Sequence, residues 1–114
     1  MEAEKIISLI NEKGYLLADG ATGTNLFDMG LESGYPPELW NEEKPDLVSI
    51  NHKNFIEAGS DIILTNSFGA NRYRLTLHNC EDRVKEINIA AARIARESSR
   101  SSGRTVLVAG SIGP

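Results

Sequence analysis

A chain of 114 residues, 40% apolar and 25% charged, has room for one domain with an ordinary soluble-protein core. Its formal net charge of −4 argues against a nucleic-acid surface, which carries a basic excess or stripe. No apolar run approaches the roughly 20 residues that span a bilayer, Met1–Lys5 lacks a signal-peptide pattern, and Cys80 as the single cysteine excludes an internal disulfide, so a cytoplasmic chain with no membrane partner is expected.

In chain order, Ala3, Ile6, Ile7 and Ile10 share one helical face that Gly14 can stop. Tyr15–Ala18 is a short apolar run without alternation, the pattern of a parallel strand covered on both faces, and it ends at Asp19-Gly20. Residues 21–44 read as a long irregular loop punctuated by Gly23, Gly30, Gly34 and Pro36-Pro37. Within it Glu38–Asn41 can form a lid turn, or Trp40 can pack the loop onto the rim. Pro45-Asp46 opens a second long helix with Leu47, Val48, Ile50, Phe55 and Ala58 on one side and Gly59 at its stop. Ile62–Thr65 is the second buried run, followed by the polar turn Asn66–Asn71. A third helix is expected over 82–99 with Val84, Ile87, Ala91, Ile94 and Ala95 inward, and its arginines, Arg93 to Arg104, suit a helix C-terminus. Thr105–Ala109 is the third run, ending in Gly110–Pro114.

Strands alternating with helices imply parallel pairing through right-handed crossovers. The three strand ends, Asp19-Gly20, Thr65-Asn66-Ser67 and Gly110-Ser111, then lie side by side on one rim, where α/β folds gather ligands. Three strands leave two open edges, and an eight-stranded barrel takes about 250 residues. A piece of a larger domain, or one needing a partner to supply the rest, is expected, with low stability alone.

Asp19–Asn25 (Asp-Gly-Ala-Thr-Gly-Thr-Asn) has glycines that let the backbone approach a ligand, N–H groups for a carboxylate or phosphate, and a carboxylate for an ammonium group. The same residues also make a capped glycine turn; they are neither a Walker A loop nor a Rossmann glycine pattern. Thr65-Asn66-Ser67 can orient a polar ligand or satisfy its own turns. His52, His78 and Cys80 are the only soft metal ligands, and their spacing builds no zinc site, which needs three or four. No lysine at the strand tips favours an aldolase-type phosphate barrel.

Asp19–Thr24, the run Phe55–Phe68, Asn88–Arg96 and Val108–Pro114 resemble the homocysteine S-methyltransferases. The resemblance implies the N-terminal portion, about three βα units, of a (β/α)8 TIM barrel, incomplete in this chain and spanning residues 1–114. It implies transfer of a methyl group to the homocysteine thiol, forming methionine, with zinc held by three cysteines outside this chain; the chain itself is then expected to purify without stoichiometric zinc. By the same resemblance Asp19 holds the substrate ammonium, Gly20 and Thr22 flank it, and Thr65, Asn66 and Ser67 lie near the bound amino acid. Gly69 stands where some betaine-type relatives have an aromatic residue, which leaves the methyl donor open among folate, betaine, S-methylmethionine and other sulfonium compounds. The alternative is a non-catalytic, truncated barrel fragment acting as a partner-binding or structural piece.

Overall fold

The structure, a computed structural model, describes residues 2–114. Helix α1 (Glu2–Lys13) leads to a short extended segment, then α2 (Thr22–Asp28), a 3-10 turn (Pro37–Leu39), α3 (Trp40–Glu43), α4 (Pro45–Glu57) and strand β1 (Ile62–Leu64). Helix α5 (Arg72–Thr76), a second 3-10 turn (Glu81–Arg83), α6 (Val84–Arg100) and strand β2 (Leu107–Ala109) follow. The fold is mixed α/β. β1 and β2 are parallel in the register Ile62↔Leu107, Ile63↔Val108 and Leu64↔Ala109.

The expected first strand over 15–18 is reduced to one parallel bridge, Ala18 to Ile62. The chain still runs alongside β1, because the Leu17 carbonyl accepts from the Asp61 and Ile62 N–H groups and Asp19 N–H donates to the Ile62 carbonyl. The next rungs are taken by side chains. Leu17 N–H donates to the Asp61 carboxylate at 3.0 Å, and Leu64 N–H donates to the Asp19 carboxylate at 3.2 Å. Two aspartates thus shorten the ladder from both ends while keeping its backbone groups paired.

Helix α6 buries Ile87, Ala91, Ile94, Ala95 and Ser98, one stripe at helical spacing, and Ser98 returns its hydroxyl to the Ile94 carbonyl. Helix α4 begins at Pro45, whose missing N–H costs nothing in a first turn. Gly59 ends it at φ 111°, a backbone angle that favours glycine. The buried side of α4 is Val48, Asn51, His52 and Ile56; of the expected Leu47, Val48, Ile50, Phe55 and Ala58, Val48 is buried, Leu47 and Phe55 are half-buried, and Ile50 (45%) and Ala58 are exposed. Residues 21–44 are not irregular. Leu26 of α2, Leu31 and Trp40 form one apolar cluster with Val48 of α4 and Ile94 of α6, and that packing orders the segment. Ile56, Ile63, Ala95 and Val106 make the second cluster, between the helices and the sheet. Ile6, Ile7 and Ile10 of α1 remain exposed, so the predicted face exists but is not buried.

At the N-terminal end of the strands Asp61 is 1% exposed. Its carboxylate accepts from the Lys13 ammonium and Leu17 N–H and lies 3.8 Å from the Arg104 guanidinium. The hydrogen bond from Lys13, then that from Leu17, hold its carboxyl below the usual carboxylate range. Arg104 also donates to the Ile56 and Ser60 carbonyls, closing the end of α4.

His52 is 1% exposed and neither ring nitrogen has a hydrogen-bond partner among the described residues. Burial lowers its pKa from 6.5 to about 4, so the folded state holds it neutral. The unfolded chain therefore binds the extra proton between those values. Stability present above pH 6.5 falls as pH drops toward 4, by about 3 kcal/mol in total. His52→Leu removes the titrating group and an unpaired buried polar ring. Across that window the urea midpoints of this variant should lose the downward acid trend that His52 gives the unmodified chain, so the two profiles diverge as pH falls; parallel acid limbs would contradict the assignment.

Candidate functional site

The C-terminal ends of the three extended segments are brought together. Asp19 sits one residue from Thr65 in effect, since its carboxylate is bonded to the N–H of Leu64. The carboxylate is half-buried; desolvation raises its pKa, opposed by the hydrogen bonds from Leu64 N–H and its own N–H. Gly20 and Ala21 are exposed beside it, and Ala21 takes φ 52° as the chain turns into α2, where Thr22 is half-buried.

Thr65, Asn66 and Ser67 are buried and engaged. The Thr65 Oγ1 accepts from Ser111 N–H at 3.0 Å and lies 2.6 Å from Ser67 Oγ, which donates to the Ser111 carbonyl at 2.8 Å. Ser67 has one hydroxyl proton and spends it on Ser111, so Thr65 donates to Ser67. The result is a closed ring of hydrogen bonds that starts and ends on the Ser111 peptide and fastens the tip of β1 to that of β2. Asn66 forms a second fastening. Its amide donates to the Asn41 side chain and the Pro37 carbonyl, both at 3.0 Å, while Asn41 donates to the Asn66 carbonyl at 2.8 Å.

Glu38 and Asn41, read in the sequence as part of a lid turn, and Ser111, read as part of the third strand end, shape the rim, Ser111 through its backbone N–H and carbonyl. Glu38 is only 7% exposed. Burial raises its carboxyl pKa, opposed by its own N–H, Arg74 and the Gly69 N–H. A Cβ placed on Gly69 would lie 2.5 Å from Glu38 Oε1, so the Glu38 carboxylate would have to move aside to admit one. With Trp40 buried and the Tyr35 phenol donating to Glu43, segment 35–43 is a fixed wall over the β1 tip rather than a free lid.

Two concave surfaces lie elsewhere. A cleft of about 910 Å³ borders α1, α6 and β2 near the opposite end of the strands, and one of about 320 Å³ lies between α2 and α4. The strand-tip rim is the site with convergent polar groups, and on chemical grounds it is the candidate.

These residues do not fit a zinc ion. Among the described residues no three His, Cys, Asp or Glu side chains gather to hold a metal. His52 is sealed in the core, and Cys80 directs its thiol to the His78 carbonyl. Among the described residues no helix is long and apolar enough to cross a membrane.

Residues 16–114 match the family model described as homocysteine S-methyltransferase. The chain is 36% identical over 110 residues to methionine synthase of Mycobacterium tuberculosis and 32% identical over 111 residues to that of Mycobacterium leprae. Each alignment covers 87% of this chain and 9% of the longer protein. The homocysteine methyltransferase MmuM of Escherichia coli, solved in a metallated form, superposes with a TM-score of 0.79 at 28% identity, over 94% of this chain and 40% of that one. Its oxidized form gives 0.78 at 27%. The chain therefore spans well under half the length of these relatives.

The Gly69–Glu38 approach gives a direct test. Gly69→Ala should destabilise the chain by about 1 kcal/mol, the low end of overpacking costs, because the Glu38 carboxylate must give up its place. In a Glu38→Ala background the same substitution should cost far less, a coupling read from urea unfolding of all four proteins. Equal costs in both backgrounds would show that Glu38 is not what requires glycine at position 69.

Proposed function

The chain belongs to the homocysteine S-methyltransferase family, and from that premise we propose that it supplies the amino-acid-binding strand ends of an enzyme that methylates the homocysteine thiol to give methionine. In this reading residues 1–114 are the first three βα units of a (β/α)8 barrel, and the remainder of that barrel and the methyl donor are its partners. Any zinc ion belongs to residues outside this segment.

The observation that carries the reading is Asp19, a partly exposed carboxylate at the strand rim whose burial is only partly offset by two backbone N–H groups. A substrate ammonium would supply the missing counter-charge through charge-assisted hydrogen bonds. Gly20 and Thr22, in the turn that follows, would receive the substrate carboxylate on backbone N–H groups. Thr65, Asn66 and Ser67 would act beside the ligand mainly by holding the β1 tip in place, because their donors are already committed. Reaction at the thiol then depends on the amino-acid end being held so that the sulfur projects to the donor in one direction.

A chimera in which residues 16–114 replace the matching first part of E. coli MmuM tests this. It should form methionine from homocysteine. Asp19→Asn in that chimera should weaken homocysteine binding by roughly tenfold to a hundredfold, the worth of one charge-assisted hydrogen bond of about 1.5–3 kcal/mol, with metal content unchanged. Unchanged affinity would remove Asp19 from the site. A folded, fully metallated chimera that neither binds homocysteine nor transfers methyl would overturn the reading.

A further inference from the structure

Asp19-Gly20 is the one step in the chain where an aspartate or asparagine precedes glycine. We infer that it is a site of self-modification, at which Asp19 converts to isoaspartate through a cyclic imide while the chain stays folded. The inference rests on the surroundings of this peptide unit and does not depend on the methyl-transfer reading.

The chemistry needs no reagent but water. The Gly20 backbone nitrogen attacks Cγ of Asp19, a C–N bond forms, and the carboxyl C–O bond breaks with loss of water. Water then adds to one of the two imide carbonyls and breaks its C–N bond. Opening at Cγ restores aspartate. Opening at the main-chain carbonyl routes the backbone through Cβ and Cγ and leaves the original main-chain carboxyl as the side group. The reactive acid is the neutral one, because a carboxylate is a poor electrophile.

Four features of the rim favour this step at Asp19. The Gly20 N–H has no acceptor among the described residues, so no carbonyl holds its proton. Gly20 is exposed, and a Cβ built on it meets nothing within 4 Å, so there is room for a five-membered ring and for water. The Asp19 carboxyl is held by a single N–H, that of Leu64, shared between its two oxygens at 3.2 Å each, the long end of the hydrogen-bond range. Next in the chain, Ala21 is kept at φ 52°, a left-handed conformation that disfavours a residue with a Cβ, and an added main-chain methylene lets the turn relax. Burial, which raises the Asp19 pKa, supports the same outcome by enlarging the neutral fraction.

Other aspartates and asparagines lack this combination. At Asn66-Ser67 the asparagine amide donates to Pro37 and Asn41, and the Ser67 N–H is committed to the Thr65 carbonyl. After Asp61 and Asn79 the next N–H groups go to the carbonyls of Leu17 and Leu75. The change at Asp19 would withdraw its carboxyl from Leu64 and lengthen the glycine turn, so the rim has a built-in route to its own loss.

The 114-residue chain, shown to be folded by circular dichroism, is incubated near neutral pH at body temperature and digested with trypsin. The peptide Gly14–Lys44 should give a second species of unchanged mass, with isoaspartate at position 19 by fragmentation, while peptides holding Asn66 and Asn79 gain no mass. Gly20→Ala is accommodated, because nothing meets its Cβ, and should slow the conversion at least about tenfold, since the methyl group crowds the attacking nitrogen. Urea added below the unfolding transition separates reaction in the folded chain from reaction after global opening. The rate should stay level as urea rises. No isoaspartate at position 19, a Gly20→Ala variant that converts as fast, or a rate that climbs with the unfolded fraction would each overturn the inference.

Discussion

Asp61 is the constraint on which the arrangement depends. It is a buried carboxylate at the point where the end of α4, the first extended segment and the entry to β2 converge. Its side chain takes the Leu17 N–H and the Lys13 ammonium, its backbone carbonyl takes the Leu107 N–H, and its N–H goes to the Leu17 carbonyl. One residue therefore fixes the spacing of all three parallel segments at their N-terminal ends. A carboxylate removed from water is costly unless paired and hydrogen-bonded. Here the pairing is supplied by α1 and by Arg104, which also closes the end of α4. Helix α1, whose isoleucines are exposed, is thereby attached through charge at its last turn.

At the other end of the strands the joints are neutral. The Thr65–Ser67–Ser111 ring and the Asn41–Asn66 pair do there what Asp61 does below, but with hydroxyls and amides. The division is physically sensible. Charge locked into the floor keeps the sheet in register, whereas charge locked into the rim would compete with a charged ligand. Asp19 is the exception at the strand tips, and it is also the rim carboxylate left partly in contact with solvent at the glycine turn.

Helix α6 and the runs that become β1 and β2 were legible in the sequence because their burial is set by local period: Ile87, Ala91 and Ile94 recur at helical spacing, and Ile62–Leu64 is apolar without interruption. The position of Asp19 at a strand end was legible because Gly20 follows it. Helices α2 and α3 were not, since seven and four residues carry too little periodic signal and their order comes from Leu26 and Trp40 meeting α4 and α6. The side of α4 was legible only in part: Val48 is buried as expected, but Asn51, His52 and Ile56 face inward where Ile50 and Ala58 were expected, because the helix has two apolar flanks and the sequence does not say which meets the sheet. Glu38–Asn41 reads as a lid turn, but its attachment was not legible because the partners, Gly69 and Asn66, lie on another loop far along the chain.

The ring at Ser111 has a direction. Every hydroxyl proton of Thr65 and Ser67 is committed within it, so what those side chains still offer is oxygen lone pairs. Together with the Asp19 carboxylate this makes the β1 end of the rim electron-rich and leaves donors to the Gly20–Thr22 turn. In the proposed reading a zwitterion would lie along that surface in one direction, positive end toward β1 and negative end toward the turn. Two committed hydroxyls would thus set a head and a tail for whatever lies along the rim.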